Sequence, residues 1–221
     1  MIVPLQDNHS KADTPNRETK IDGAITISGG RYTIDPCMII PPHFLPALGP
    51  DETEEARKNL SIHSSHGSVT ADIWLMASQP RDLSTPQKRT LLCLRSDYGS
   101  VTTTIDGDQD IAPFKLEINA PHGTVSVALP RAFRGLLTLT TIHGSVSLSP
   151  IFTGNTTTLS QVNHVRRYFV GDFPIDSESE WDGNEVVVES THSRIRIKYI
   201  DEGAAENKSA GGGFFSRLFG H

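Results

Sequence analysis

Residues 116–129 read LEINAPHGTVSVAL: apolar residues at alternate positions (Leu116, Ile118), a polar turn ending in His122-Gly123, then alternation again (Val125, Val127, Leu129). A period of two puts one side of the chain in a core and the other in water, which is the pattern of a half-buried strand. The pattern recurs. Residues 60–73 read LSIHSSHGSVTADI, 92–105 LCLRSDYGSVTTTI, 137–148 LTLTTIHGSVSL and 186–197 VVVESTHSRIRI, the last with Ser193 in place of glycine. The early stretch 25–34, ITISGGRYTI, has the same shape. Thr, Val and Ile suit such strands because a branched side chain packs well on a pleated face. The sequence therefore predicts six β-turn-β units and very little helix.

Equivalent turn positions hold His66-Gly67, Tyr98-Gly99, His122-Gly123, His143-Gly144 and His192. Glycine at a sharp corner predicts a positive φ there. The residue before it is expected to tolerate the left-handed region, with His standing in for Asn. The turn glycines are unevenly spaced, as regular coils with inserts at 78–90, 107–113 and 150–184 would be. The expected fold is all-β: a repeat-built β-solenoid, single-stranded β-helix-like, with a twisted β-sandwich of hairpins as the alternative. Periodicity does not separate the two.

One repeat domain is expected over 21–201. It carries a Pro-rich insert at 36–60 whose charged run Asp51–Lys58 reads as a short helix. Residues 1–20 read as a disordered leader. Residues 202–221 read as a flexible linker and an apolar tail. After Gly211–Gly213, Phe214, Phe215, Leu218 and Phe219 fall on one face of a short helix. That face fits a docking peptide or weak membrane anchor, or a cap on the last coil.

The chain has 221 residues and a formal net charge of -6. With no basic excess to neutralise phosphates, general nucleic-acid binding is not expected. No apolar run approaches the roughly 18 residues of a membrane span. The N-terminus lacks the basic start and apolar stretch of a secretory signal, so a cytoplasmic or nuclear location is expected. Cys37 and Cys93 do not make a disulfide framework. Cys93, within the apolar run 91–94, reads as a buried thiol.

Several stretches carry a resemblance: 31–36 (RYTIDP), 57–60 (RKNL), 72–75 (DIWL), 129–135 (LPRAFRG), 144–150 (GSVSLSP), 165–173 (VRRYFVGDF), and Trp181 with Gly183. On these the chain resembles a fungal family of uncharacterised proteins with a domain of unknown function, over about 21–201. More distantly it is similar to bacterial adhesin-like domains built of short strand repeats. The resemblance implies an all-β, solenoid-like fold and no catalytic residues. The chain departs from it by placing His where relatives more often have Asn or Asp before Gly.

The chemistry-bearing patterns are sparse. His66, His122, His143 and His192 would line one edge of a stack, and rows of imidazoles bind Zn or Cu. Tyr98 breaks the row and no carboxylate or thiolate completes a tetrahedral set, so no metal is expected. Asp106, Asp108, Asp110 and Glu117 have calcium-loop spacing, but Ile111 stands where the sharp turn needs Gly, so a solvated acidic loop is expected. Arg166 and Arg167 with Asp172 and Asp176 are the nearest thing to a catalytic group, and read better as a charged hairpin with Tyr168, Phe169 and Val170 as its apolar strand. Trp74 reads as core, and Trp181 as a loop cap or contact residue.

No catalytic signature is present, and no catalytic residue, cofactor or metal is expected. The expected function is a non-catalytic, adhesin-like interaction or scaffold module. Its partner would be a protein or membrane surface reached through the tail, and exposed end strands make self-association plausible. The alternative is a polysaccharide-binding or polysaccharide-active β-helix protein.

Overall fold

The computed structural model describes residues 2–3, 27–36, 38, 40–45, 53, 57–77, 89–107, 111–172 and 181–202. Most of the predicted leader, much of the Pro-rich insert with its short helix, Cys37, Asp108, Asp110, Asp176 and the apolar tail lie outside them.

Strand pairs joined by the predicted turns recur five times among the described residues. They are β3 (Leu60–Ser64) and β4 (Val69–Leu75), β5 (Thr90–Ser96) and β6 (Val101–Gly107), β7 (Phe114–Asn119) and β8 (Val125–Leu129), β9 (Gly135–Thr141) and β10 (Val146–Leu148), and β13 (Asn184–Ser190) and β14 (Ile195–Tyr199). They are not hairpins. In each unit the first strand belongs to one sheet and the second to another. Sheet I runs β1-β2-β4-β6-β8-β14-β10, with β1 at Ile2–Val3 and β2 at Ile27–Ile34. Sheet II runs β11-β12-β9-β13-β7-β5-β3, with β11 at Thr156–Val162 and β12 at Val165–Val170. All unit-to-unit pairings are parallel. Among the described residues the fold is all-β apart from a five-residue helix and two short 3-10 turns.

Register follows the repeat. In sheet II, Leu60 pairs with Leu92, Leu92 with Leu116, Leu116 with Val186 and Val186 with Leu137. In sheet I, Val69, Val101, Val125, Ile195 and Val146 form the matching row. These rows face inward and make one continuous core with Ile62, Leu94, Ile118, Val188 and Leu139. A one-residue slip would turn every one of these side chains to water, so burial itself fixes the register. Thr103 is the polar member of an inward row, and its hydroxyl is satisfied by donating to the Ala71 carbonyl oxygen at 2.9 Å.

Order along the stack departs from order along the chain. The last unit, β13–β14, lies between the third and the fourth: β13 pairs with β7 and β9, and β14 with β8 and β10. The stretch read as an insert at 150–184 makes this possible. Ser149 caps α1 (Pro150–Gly154), accepting the Phe152 N–H, with proline at its start, as helix N-termini favour. Phe152 is buried against Tyr199, ring centroids 4.7 Å apart. Strands β11 and β12 then form an antiparallel hairpin whose turn places Asn163 at φ 54°, and β12 pairs with the outer edge of β9. The sequence anticipated the second strand of this hairpin and not the first, because 156–162 is rich in Thr and has no inward apolar row.

Candidate functional site

The turn edge is built first, since the parallel register makes it. In-register parallel strands bring equivalent side chains to about 4.8 Å from one another. At the position before each turn glycine this stacks rings: His66 on Tyr98 at 5.3 Å between centroids, Tyr98 on His122 at 5.4 Å, His122 on His192 at 5.4 Å and His192 on His143 at 5.3 Å. The planes differ by only 7–28°. Tyr98 is a full member of the ladder, not its interruption. All five residues are exposed.

The reason expected for the turn glycines is wrong. Among the described residues positive φ occurs at Asn163, Gly135 and Gly171 alone, so neither the His residues nor Gly99, Gly123 and Gly144 take a left-handed conformation. What excludes a side chain is proximity. A Cβ on Gly99 would collide with the Gly67 carbonyl, on Gly123 with the Gly99 carbonyl, and on Gly144 with the Ser193 carbonyl. Gly99, Gly123 and Gly144 are needed because each sits directly on its neighbour's backbone, whereas Ser193 of the inserted unit has room for a side chain that donates to the His122 carbonyl oxygen at 3.0 Å.

A hydroxyl three residues before the glycine braces most turns. Ser64 Oγ accepts the Gly67 N–H at 2.9 Å, Ser96 Oγ the Gly99 N–H at 2.8 Å and Thr141 Oγ1 the Gly144 N–H at 3.0 Å. The third unit has Ala120 there. In the inserted unit, Ser190 Oγ is buried without a hydrogen-bond partner.

The outer faces of the two sheets differ in their electrostatics. On β5, β7 and β13 of sheet II charges are consumed in pairs, while Arg166 and Arg167 on β12 make no ion pair among the described residues. Asp97 meets Arg95 at 2.8 Å and His63 at 3.1 Å, Lys115 meets Glu117 at 2.9 Å, and Arg89 meets Glu185 at 3.2 Å. The Arg95 hydrogen bond, with help from His63, holds the Asp97 carboxyl below its ordinary value, and the Glu117 hydrogen bond raises Lys115. On sheet I, Thr70, Thr102, Ser126, Arg196 and Ser147 form one outward row, and Asp72, Thr104, Ala128 and Lys198 the next. Arg194 donates to Ser145 Oγ at 3.3 Å. Arg196 and Lys198 are exposed and make no ion pair or hydrogen bond among the described residues. A shallow groove of about 200 Å³ runs between Thr102 and Thr104 on one side and Lys198 on the other, floored by Ser126 and Ala128.

Trp74 shares this face and corrects the core reading. It is 40% exposed, because Val69, Ala71, Ile73 and Leu75 are the inward positions of β4 and Trp74 falls between them. Cys93 is likewise not in the core. It is half-buried on the outer side of β5, opposite Ser61 and Glu117, and burial pushes its thiol pKa up. Sequence reasoning missed Trp74, Arg196 and Lys198 as surface residues. The signal was available in 194–198, RIRIK, which puts a cation on every outward position of one strand.

The other candidates separate. Trp181 packs edge-on against Phe169 at 5.2 Å and donates its indole N–H to the Asn184 carbonyl at 2.9 Å, in a half-buried position. No ion pair joins Arg166, Arg167 and Asp172. Asp106 lies in sheet I and accepts the Gly107 N–H, while Glu117 lies in sheet II beside Lys115, so the calcium spacing is divided between two sheets. Among the described residues no three His, Cys, Asp or Glu side chains are placed to hold a metal ion. No helix among them is long and apolar enough to cross a membrane.

Two sheets of mostly parallel strands around one core, joined through turns edged with rings, define an all-β protein. Residues 22–202 match the family described as "Domain of unknown function (DUF7330)", and the chain belongs to it. No curated protein and no solved structure matches the chain.

Proposed function

We propose that the chain is a non-catalytic, adhesin-like interaction module built as a β-solenoid. One observation carries the reading: on the outer face of sheet I, Arg196 and Lys198 stand exposed amid hydroxyls with no ion pair or hydrogen bond among the described residues, whereas β5, β7 and β13 of sheet II pair their charges. In a chain of net charge -6 a cationic strip without partners is a surface left for an anionic one. The turn ladder and its braces supply rigidity, which lowers the entropic cost of binding on a flat face. The tail with Phe214, Phe215, Leu218 and Phe219 is a second tether in this reading.

Affinity capture tests it, with the full chain, the Arg196→Ser/Lys198→Ser variant and a chain ending at Ala210. Partners that are lost with the two cations are expected. An identical partner set from all three proteins, no richer than an inert control, removes the reading.

A further inference from the structure

We infer that the outer face of sheet I binds a linear acidic oligosaccharide, with acid groups over Arg196 and Lys198 and a further sugar ring over Trp74. The inference rests on the interaction-module reading above and names its ligand class.

Charge comes first. Arg196 and Lys198 are two residues apart on β14, so their Cα atoms are about 6.6 Å apart on the same face. The acid in the Lys198 row is Asp72, three strands away, a distance of about 14 Å and beyond the screening length of about 8 Å at physiological salt. Of the nearby acids that follow β14, Asp201 pairs with Arg131 at 2.9 Å, and Glu202, still charged, is held by the Tyr199 N–H at 3.3 Å and pairs with neither cation. The cations therefore present their charge outward.

Charge alone fits any polyanion, and the groups beside it narrow the class. Thr102, Thr104 and Ser126 line the groove next to Lys198, and each hydroxyl both donates and accepts. Sugar hydroxyls need that dual capacity; phosphate chains and carboxylate side chains do not. Trp74 offers a ring face to the apolar C–H side of a sugar. Asp72 and Asp106 lie on the Trp74 side of the face, Asp106 directly opposite Trp74 in the register. They accept hydrogen bonds from sugar hydroxyls there, and Arg31 lies opposite Asp72 in the register and offsets its charge.

The same face disfavours two other polymers. An extended peptide gains affinity by adding a strand to a free sheet edge, but β6, β8 and β14 are each paired on both sides, and the free edge beside them, β10, is only three residues long. A membrane surface needs a cluster of apolar side chains, and Trp74 is the one large apolar side chain exposed within the described strands of this face.

The experiment titrates the full chain with oligogalacturonate, a neutral cello-oligosaccharide, polyphosphate and polyglutamate. Oligogalacturonate is expected to bind most tightly, and to weaken as salt rises. Arg196→Ser with Lys198→Ser, and separately Trp74→Ala, are each expected to weaken it about tenfold, the effect of 1.4 kcal/mol. Lys115→Ser, on sheet II, is expected to leave binding unchanged. Unfolding curves accompany each variant, and Lys198→Gln alone serves if the double variant is unstable. Polyphosphate or polyglutamate binding as tightly, with Trp74→Ala without effect, reduces the face to a bare cation patch and overturns the inference. So does a folded chain that binds no oligogalacturonate at low salt. If the sugar fails while partner capture still depends on Arg196 and Lys198, only the ligand class falls. If both fail, the interaction reading falls with it. Uronate polymers are met outside the cytoplasm, so this inference and the cytoplasmic or nuclear expectation exclude one another. Fractionation of cells expressing the full chain is the second readout, and confinement to cytoplasm or nucleus overturns the inference.

Discussion

The Ser96 hydroxyl donates to the Gly67 carbonyl oxygen at 2.9 Å while accepting the Gly99 N–H at 2.8 Å, and so bolts one turn to the turn of the unit beside it. Ser190 occupies the corresponding place in the inserted unit and has no partner for its Oγ. The two serines should therefore respond oppositely to the same change. Ser96→Ala leaves buried polar groups unmet and is expected to cost about 1–3 kcal/mol. Ser190→Ala removes an unsatisfied atom and is expected to be neutral or slightly stabilising. Urea unfolding of the pair measures it, and equal losses would show that the hydroxyl network does not brace the turns.

Proximity, not φ, explains the turn glycines, and this too is checkable. Gly123→Ala drives a methyl group into the Gly99 carbonyl and is expected to cost about 2–3 kcal/mol. Gly154, at the end of α1, has nothing near its missing Cβ. Gly154→Ala is expected to be neutral, or stabilising by up to about 1 kcal/mol. A left-handed turn would instead accept Asn at position 123 with little loss. Here Gly123→Asn should be at least as damaging as Gly123→Ala.

Acid should dissolve the Asp97 cluster. The Arg95 hydrogen bond and His63 lower the Asp97 carboxyl below its ordinary 3.8. A depressed carboxyl contributes stability that is present above its unfolded value and is lost as pH falls through its folded one. Asp97→Asn is therefore expected to be less stable than the parent at pH 7 and equal to it near pH 2. The group is partly exposed, so the gap is small and shrinks with salt. A gap that persists at pH 2 would assign the effect to packing.

Cys93 should be a slow thiol. Burial raises it above the ordinary value of 9.0, and Glu117 adds to the rise against the opposing pull of Lys58 and Arg95. Little thiolate is present at neutral pH, and thiolate is the reacting form. Disulfide-exchange reagents are expected to label the folded chain more slowly than the urea-unfolded one, with the difference narrowing as pH rises. Equal rates at pH 7 would place the side chain fully in solvent.

The fold was legible where the alternation was clean. Leu60, Leu92, Leu116, Leu137 and Val186 head the five aligned segments of the sequence, and they head the same row in the core. What alignment could not carry was distance. Nothing in 186–197 says that Val186 lies beside Leu116 on one side and Leu137 on the other, because the choice is made by the helix and hairpin at 150–170 that turn the chain back. The ring ladder was legible as a line, but its cause was not. A turn glycine is compatible both with positive φ and with a close neighbour, and only the stack shows which. Trp74 failed for a different reason: a tryptophan flanked by Ile73 and Leu75 reads as core by composition, while the period of two, applied strictly, turns it outward.

The place of β13 between β7 and β9 bears on how the chain is made. Both neighbours leave the ribosome well before β13 does, and each presents an open parallel edge with the same inward leucine-type row. The third and fourth units must either wait apart or close on one another and later be prised open. The newborn chain thus carries a built-in decoy, a stack one layer short. The helix and hairpin at 150–170 act as a doorstop, since β12 claims one edge of β9 and leaves the other facing the gap that the final layer fills.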